Sequence, residues 1–210
     1  MNHRSLLSIL SAVLIVFTLP CGATTRSTDY PGSVTLLLDV PEIREELALD
    51  KAQTRRLQSL RKELRSRSRS LVATPKPTET DGLNSDQRLF ALIDSNNAKA
   101  LALLHPDQLE RFHQLQIQVL GFTMLVSPKV QQQLALSKSQ RSAIEKIRQR
   151  GLEFVAEMNR SYEQQNISHA QRIDLLRNYR LEQSSLMRGV LTPSQHAAFT
   201  QLCGPLLTKS

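Results

Sequence analysis

The sequence predicts an all-helical fold, and three observations support this prediction. Hydrophobic residues make up 40% of the 210-residue chain, but aromatic residues only 4% and tryptophan is absent, so the core must be aliphatic. Apolar residues recur at steps of three and four, which is the period of a helix with one buried face. A helix-start motif also recurs along the chain. Seven glycines and nine prolines are too few for the many turns of an all-β protein.

The first 23 residues have the composition of a secretory signal peptide. Arg4 precedes an apolar run of 14 residues from Leu6 to Leu19, and small residues follow up to Ala23. A membrane-spanning helix needs about 20 apolar residues, so the run predicts cleavage after Ala23 rather than an anchor. Two alternatives stay open: an uncleaved anchor, and a lipoprotein processed at Cys21, which the preceding proline disfavours. The predicted location is periplasmic or secreted.

Charge and cysteine content narrow the partners of such an exported chain. Its formal charge is +8, which favours acidic partners. This charge leaves open unfolded or partner polypeptides and peripheral contact with an anionic envelope surface. After cleavage Cys203 would be the remaining cysteine, which excludes an intramolecular disulfide. Its apolar surroundings favour a buried small side chain over a reactive or intermolecular thiol.

The chain contains an internal repeat. Residues 41–53 align with 128–140, and residues 104–115 align with 191–202, both at an offset of 87 residues. Two separate blocks with one offset indicate a tandem duplication of a helical unit. The predicted organisation is a signal peptide over 1–23, a flexible leader over 24–40, a first helical unit over 41–127 and a second helical unit over 128–210. The two units are expected to pack as one pseudo-symmetric helical domain.

Each unit contains two copies of a Leu-x-x-x-Gln motif that predicts a helix start. The residue after the leucine is the N-cap, whose side-chain oxygen accepts from a first-turn amide, and the glutamine accepts from the N-cap amide in return. His105 replaces the Asp, Ser or Thr of the other copies and is predicted to cap poorly. Weaker relatives run from Leu83 to Gln87 and from Ile167 to Gln171. The four motifs are Leu49, Asp50 and Gln53; Leu104, His105 and Gln108; Leu136, Ser137 and Gln140; and Leu191, Thr192 and Gln195.

The remaining helices and loops follow from the motifs in chain order. A helix is predicted after Asp50, and the stretch 71–82, with two prolines and a glycine, is predicted to be an exposed loop. Pro106 and Pro193 occupy first helical positions, where the missing N–H costs nothing. The clearest apolar periodicity runs over 144–162 and 176–190 and predicts two amphipathic helices.

A basic segment follows the first motif. It has the sharpest local excess of positive charge, with only Glu63 opposing it before the loop. One interpretation is a helix face that binds acidic polypeptide, phosphate or lipid headgroups, and the other is a solvated helix back. Nucleic acid is not expected, because no aromatic residues alternate with the arginines for base stacking. The residues of this basic face are Arg55, Arg56, Arg61, Lys62, Arg65, Arg67 and Arg69.

No pattern in the sequence predicts an enzyme, a metal site or a cofactor. The histidines at positions 105, 113, 169 and 196 do not pair with another ligand at i, i+4. The chain also lacks a Gly-rich phosphate loop, a His-Glu-x-x-His motif and a Gly-x-Ser-x-Gly motif. We therefore expect no catalytic residue, no bound metal and no cofactor.

The motif Leu191-Thr192-Pro193-Ser194-Gln195 and its three counterparts resemble the Leu-Thr-x-x-Gln motif of the Spy/CpxP family of bacterial periplasmic proteins. The resemblance covers about residues 41 to 204. It implies two fused helical units that are similar to the cradle-shaped dimer of the family. It also implies an ATP-independent chaperone or envelope-stress adaptor, which binds unfolded clients on a basic, partly apolar concave surface. The segment from Arg55 to Arg69 is compatible with such a client-binding face.

The alternative is a structural or scaffolding protein of the cell envelope. A chaperone is expected to expose an apolar patch within its basic face. A scaffold is expected to bury its apolar stripes in a stable oligomer, for which a homodimer is the simplest form.

Overall fold

The computed structural model describes residues 34–73 and 85–207. This part of the chain is helical without strands, which confirms the all-helical prediction. In chain order the elements are α1 (Val34–Leu37), α2 (Pro41–Glu46), α3 (Lys51–Ala73), α4 (Ser85–Leu101), α5 (Pro106–Leu120), the 3-10 helix η1 (Gly121–Val126), α6 (Pro128–Gln133), α7 (Lys138–Glu163), α8 (His169–Gly189) and α9 (Pro193–Leu202). None of the helices in the described ranges is long and apolar enough to span a membrane. The predicted signal peptide lies outside these ranges.

The described residues divide into two compact units. The N-terminal unit contains residues 34–73 and 85–113, and the C-terminal unit contains residues 114–206. In the N-terminal unit α1, α3 and α4 pack on one another. In the C-terminal unit α7 packs along α8, and both contact η1, as does α6. The division falls within α5, whereas the repeat analysis places the unit boundary between residues 127 and 128.

The cores of both units are mainly aliphatic, as the composition predicts, with a buried phenylalanine in each. The most deeply buried apolar residues of the N-terminal unit include Val34, Leu37, Leu38, Ile43, Ala100 and Phe112. Those of the C-terminal unit include Leu115, Leu125, Ile144, Met187 and Phe199.

Residues 34–40, which the sequence analysis assigned to a flexible leader, belong to the core of the N-terminal unit. Val34 and Leu38 are fully buried. The backbone N–H of Val34 donates to Oδ1 of the buried Asn97 at 2.9 Å. Burial of each large apolar side chain contributes about 1.5–3 kcal/mol, which is lost if the segment stays in water. The predicted leader is therefore too long at its C-terminal end.

The basic helix α3 extends further than the sequence suggested. It continues to Ala73, whereas the predicted loop begins at residue 71. The rest of that loop, and the weaker motif that begins at Leu83, include residues outside the described part of the chain.

An alanine in the left-handed backbone conformation follows each of two short helices. Ala48 follows α2 and Ala135 follows α6, each with φ of 47°. After α2 the N–H of Ala48 donates to the carbonyl of Glu45 at 2.9 Å, and the N–H of Leu49 donates to the carbonyl of Arg44 at 3.1 Å. These hydrogen bonds are those of a helix C-terminus that is capped by a residue in the left-handed conformation. This position usually holds glycine. Because an L-residue pays a steric cost in this region, both alanines are strained.

Replacing Ala135 with glycine is therefore expected to stabilise the protein by about 0.5–1 kcal/mol, since removal of the Cβ relieves more strain than the added chain entropy costs. Urea unfolding measures the difference. Ala197→Gly, at an exposed position within α9, is the control and is expected to destabilise by a similar amount. Destabilisation by both substitutions would contradict the strain at Ala135.

Candidate functional site

The two motifs of the N-terminal unit meet through their glutamine side chains. Gln53 lies in the first turn of α3 and Gln108 in the first turn of α5. Nε2 of Gln53 donates to Oε1 of Gln108 at 2.7 Å, and Nε2 of Gln108 donates back to Oε1 of Gln53 at 3.3 Å. Nε2 of Gln53 also donates to the carbonyl of Leu103 at 2.7 Å, and that of Gln108 to the carbonyl of Leu47 at 3.0 Å. We call this reciprocal arrangement the glutamine clasp.

The C-terminal unit contains a second glutamine clasp, between Gln140 and Gln195. The two hydrogen bonds between their side-chain amides measure 2.6 and 3.1 Å. Nε2 of Gln140 donates to the carbonyl of Val190 at 2.9 Å, and that of Gln195 to the carbonyl of Leu134 at 3.2 Å. Each bond repeats one of the first clasp at the offset of 87 residues. The clasp thus joins the starts of α7 and α9 in the same way as those of α3 and α5.

The clasp explains why the motif carries glutamine rather than glutamate. A side-chain amide has two N–H donors and an oxygen that accepts twice. In Gln53 both donors are used in the clasp, and Oε1 accepts from Gln108 and also from the N–H of Asp50 at 3.0 Å. Glutamate would satisfy the cap but has no N–H to donate.

The predicted capping boxes are present at Ser137 and Thr192 and also at Ser168, the N-cap of α8. Asp50 forms both bonds of a box with Gln53 as well. At His105 the backbone N–H donates to Gln108 at 2.9 Å, but no described residue donates to the imidazole. Histidine has no short side-chain oxygen with which to accept the first-turn amide, so this box is half formed.

The seven residues of the predicted basic face are all exposed, but they do not share one side of α3. At 100° per residue, four of them lie with Lys51 within an arc of about 80°. Sequence analysis missed Lys51, although its i, i+4 spacing to Arg55 indicates a shared face. We call this set the basic stripe. It consists of Lys51, Arg55, Lys62, Arg65 and Arg69.

The other three cations of the predicted face lie outside the basic stripe. Arg61 forms an ion pair with Asp39 at its edge. Arg56 and Arg67 lie on another side of α3, where Arg67 contacts Glu63 at 3.0 Å. Glu63 is also 4.0 Å from Nζ of Lys99 on α4. Glu63, the one carboxylate of α3, therefore lies on a different side of the helix from the basic stripe. No residue of α3 compensates the positive charge of the basic stripe.

Exposed apolar side chains occur in the C-terminal unit. Leu175, Tyr179 and Leu186 are spaced i, i+4, i+11 on α8 and so lie on one side of this helix. Leu175 is 40% and Leu186 47% exposed, while Tyr179 stacks on Phe154 of α7 with centroids 4.1 Å apart. We call these three α8 residues the apolar ridge. The sequence analysis placed Tyr179 and Leu186 in the apolar stripe of a packed helix and did not name Leu175, because it treated the periodic apolar positions of α8 as buried.

Burial shifts the pKa values of two ionisable groups in the C-terminal unit, Cys203 and Arg180. Sγ of Cys203 donates to the carbonyl of Phe199 at 3.5 Å, and burial raises the pKa of this thiol, which disfavours the reactive thiolate. Nη1 of Arg180 is buried without a hydrogen bond, and burial lowers the pKa of its guanidinium. Within the described ranges no three His, Cys, Asp or Glu side chains converge in a way that could hold a metal ion.

Comparison of the chain with protein-family models, with curated proteins and with solved structures finds no match.

Proposed function

We propose that this chain is an exported, non-catalytic helical protein of the periplasm that binds partly unfolded polypeptides, as an ATP-independent chaperone or envelope-stress adaptor. The observation that carries the proposal is the glutamine clasp, because it gives the Leu-x-x-x-Gln motifs one shared role in both units. This supports the resemblance to Spy/CpxP proteins, which have one such motif early in the chain and another near its end.

The same observation supports a tandem duplication. The two clasps use glutamines 55 residues apart in both units. The left-handed alanines, Ala48 and Ala135, also occur 87 residues apart with the same φ. Since an alanine at a left-handed C-cap is uncommon, two at equivalent positions favour common descent over independent origin.

The proposed contact with clients is the apolar ridge of α8. An unfolded polypeptide offers apolar side chains, and burying one leucine from the protein contributes about 1.5–3 kcal/mol at most. The basic face of α3 was expected to contain an apolar patch. In the described part of α3, however, no large apolar side chain is exposed, so the ridge fits an apolar client segment better.

The test is suppression of aggregation, followed by light scattering when a chemically denatured model protein is diluted into buffer with the purified chain. The variant Leu175→Ser with Leu186→Ser is expected to need about tenfold more protein for half suppression, because both apolar contacts are lost. The matched control is Leu181→Ser, which removes a leucine that is 66% exposed on the far side of α8. Equal effects of the ridge and control variants would exclude the ridge as the client contact.

The alternative function, an envelope scaffold, is favoured by the same exposed leucines if a partner covers them. In that case wild-type protein forms a stable oligomer in sedimentation experiments, the ridge variant dissociates it, and neither protein suppresses aggregation at several-fold excess.

A further inference from the structure

The basic stripe of α3 has the charge pattern of a docking surface. Its five cations follow one line along the helix for about 27 Å, since Lys51 and Arg69 are 18 residues apart at a rise of about 1.5 Å per residue. The exposed residue that lies between these cations, Gln58, is uncharged. We propose that the basic stripe docks the protein on an anionic membrane surface through contacts with lipid phosphate headgroups.

The equivalent line on α7 shows that a helix of this type does not need the charge for folding. Lys51 corresponds to Lys138, because each helix begins one residue after its N-cap. The positions of Arg55, Lys62, Arg65 and Arg69 hold Ser142, Gln149, Leu152 and Ala156, and that of Gln58 holds Glu145. The line on α7 therefore has one cation and one carboxylate, and Leu152 and Ala156 are half-buried within it. The row of five cations is a feature of α3 that its counterpart in the repeat does not share.

The composition of the basic stripe favours a lipid surface over a polypeptide. An unfolded client needs apolar contact, and the stripe has none. The apolar side of α3 faces the unit, where Leu57 is 6% exposed, so α3 cannot insert into the acyl region as an amphipathic helix does. What remains is a row of charges along one helix, and clusters of four to eight Lys or Arg residues bind anionic headgroups.

The experiment measures co-sedimentation of the purified full chain with vesicles of phosphatidylcholine alone and with added phosphatidylglycerol. Binding is expected only with phosphatidylglycerol and is expected to weaken with salt, because the Debye length is about 8 Å at 0.15 M. The exchange variant carries Arg55→Ser, Lys62→Gln and Arg69→Ala. At these three positions α3 then has the residues of α7. Three lost cations, each worth about a fivefold change, are expected to lower the affinity about a hundredfold.

A charge-matched control removes three exposed cations from α7: Arg141→Gln, Lys146→Gln and Arg150→Gln. It has the same net charge as the exchange variant and is expected to bind within about threefold of wild type, because these cations are not part of the basic stripe. Adding Ser142→Arg, Gln149→Lys and Ala156→Arg to the exchange variant is expected to restore binding by rebuilding the row of cations on α7. A urea unfolding midpoint equal to that of wild type shows that the exchange variant is folded.

Two results would overturn the proposal. If the exchange variant and the charge-matched control lose binding equally, only net charge matters and the basic stripe is not a site. If wild-type protein does not bind the vesicles but binds polyglutamate through the basic stripe, the partner is an acidic polypeptide. Both results are independent of aggregation suppression by the apolar ridge, so either proposal can fail alone.

Discussion

Gln53→Glu is expected to destabilise the protein by about 3 kcal/mol at neutral pH. The substitution keeps the size of the side chain and the oxygen that caps α3, but it removes both N–H donors of Gln53. A carboxylate oxygen then replaces Nε2 of Gln53. It faces two acceptors, the carbonyl of Leu103 and Oε1 of Gln108, each of which lies 2.7 Å from Nε2 in the clasp. Because Gln53 is only 6% exposed, the lost bonds are not replaced by water. Urea unfolding at pH 7 measures the effect.

This loss should become smaller in acid. The introduced carboxyl is surrounded by acceptors, so its protonated form is favoured in the folded protein and its pKa is raised above the unfolded value of about 4.3. A raised folded pKa contributes stability that is fully present below the unfolded pKa and is lost as the pH rises through the folded pKa. The stability difference from wild type is therefore expected to be smallest near pH 4 and largest at pH 7.

The matched control is Gln171→Glu. Gln171 occupies the same position of a capping box, with Ser168 as the N-cap, but it is exposed and has no clasp partner among the described residues. Glutamate caps a helix as well as glutamine does and interacts favourably with the helix N-terminus. A change within about 0.5 kcal/mol is expected. If Gln53→Glu cost no more than this control, the glutamine clasp would add nothing to capping.

Asn97→Ala is expected to destabilise the protein by about 2 kcal/mol and to release residues 34–40 from the N-terminal unit. The substitution leaves the fully buried N–H of Val34 without its acceptor, and an unsatisfied buried donor costs about 1–3 kcal/mol. Urea unfolding measures the free energy, and limited proteolysis measures exposure of α1.

Asn178→Ala is the control for this substitution. Asn178 is exposed on α8, so its replacement is expected to change stability by less than about 0.5 kcal/mol and to leave α1 protected. If Asn97→Ala were equally harmless, apolar burial alone would hold α1 in place.

The sequence by itself determined the features that depend on residues close together in the chain. Capping boxes link positions three residues apart, so Ser137 with Gln140 and Thr192 with Gln195 were identified from the motif alone. Helical class followed from the three-to-four periodicity, since one buried face requires it. The basic face was also visible, because its cations lie within one helix.

Only the tertiary structure decided which distant groups meet. Gln53 and Gln108 are 55 residues apart, and no local pattern shows that their amides bond to each other as well as to their own caps. The backbone N–H of Val34 donates to Asn97, 63 residues away. Of the predicted basic face, Arg61 forms an ion pair with Asp39, which lies outside α3, and no local pattern shows this pairing. Hydrogen bonds and ion pairs depend on distance in space, whereas helix periodicity and capping depend on distance along the chain, which is why the sequence shows the helices before it shows their contacts.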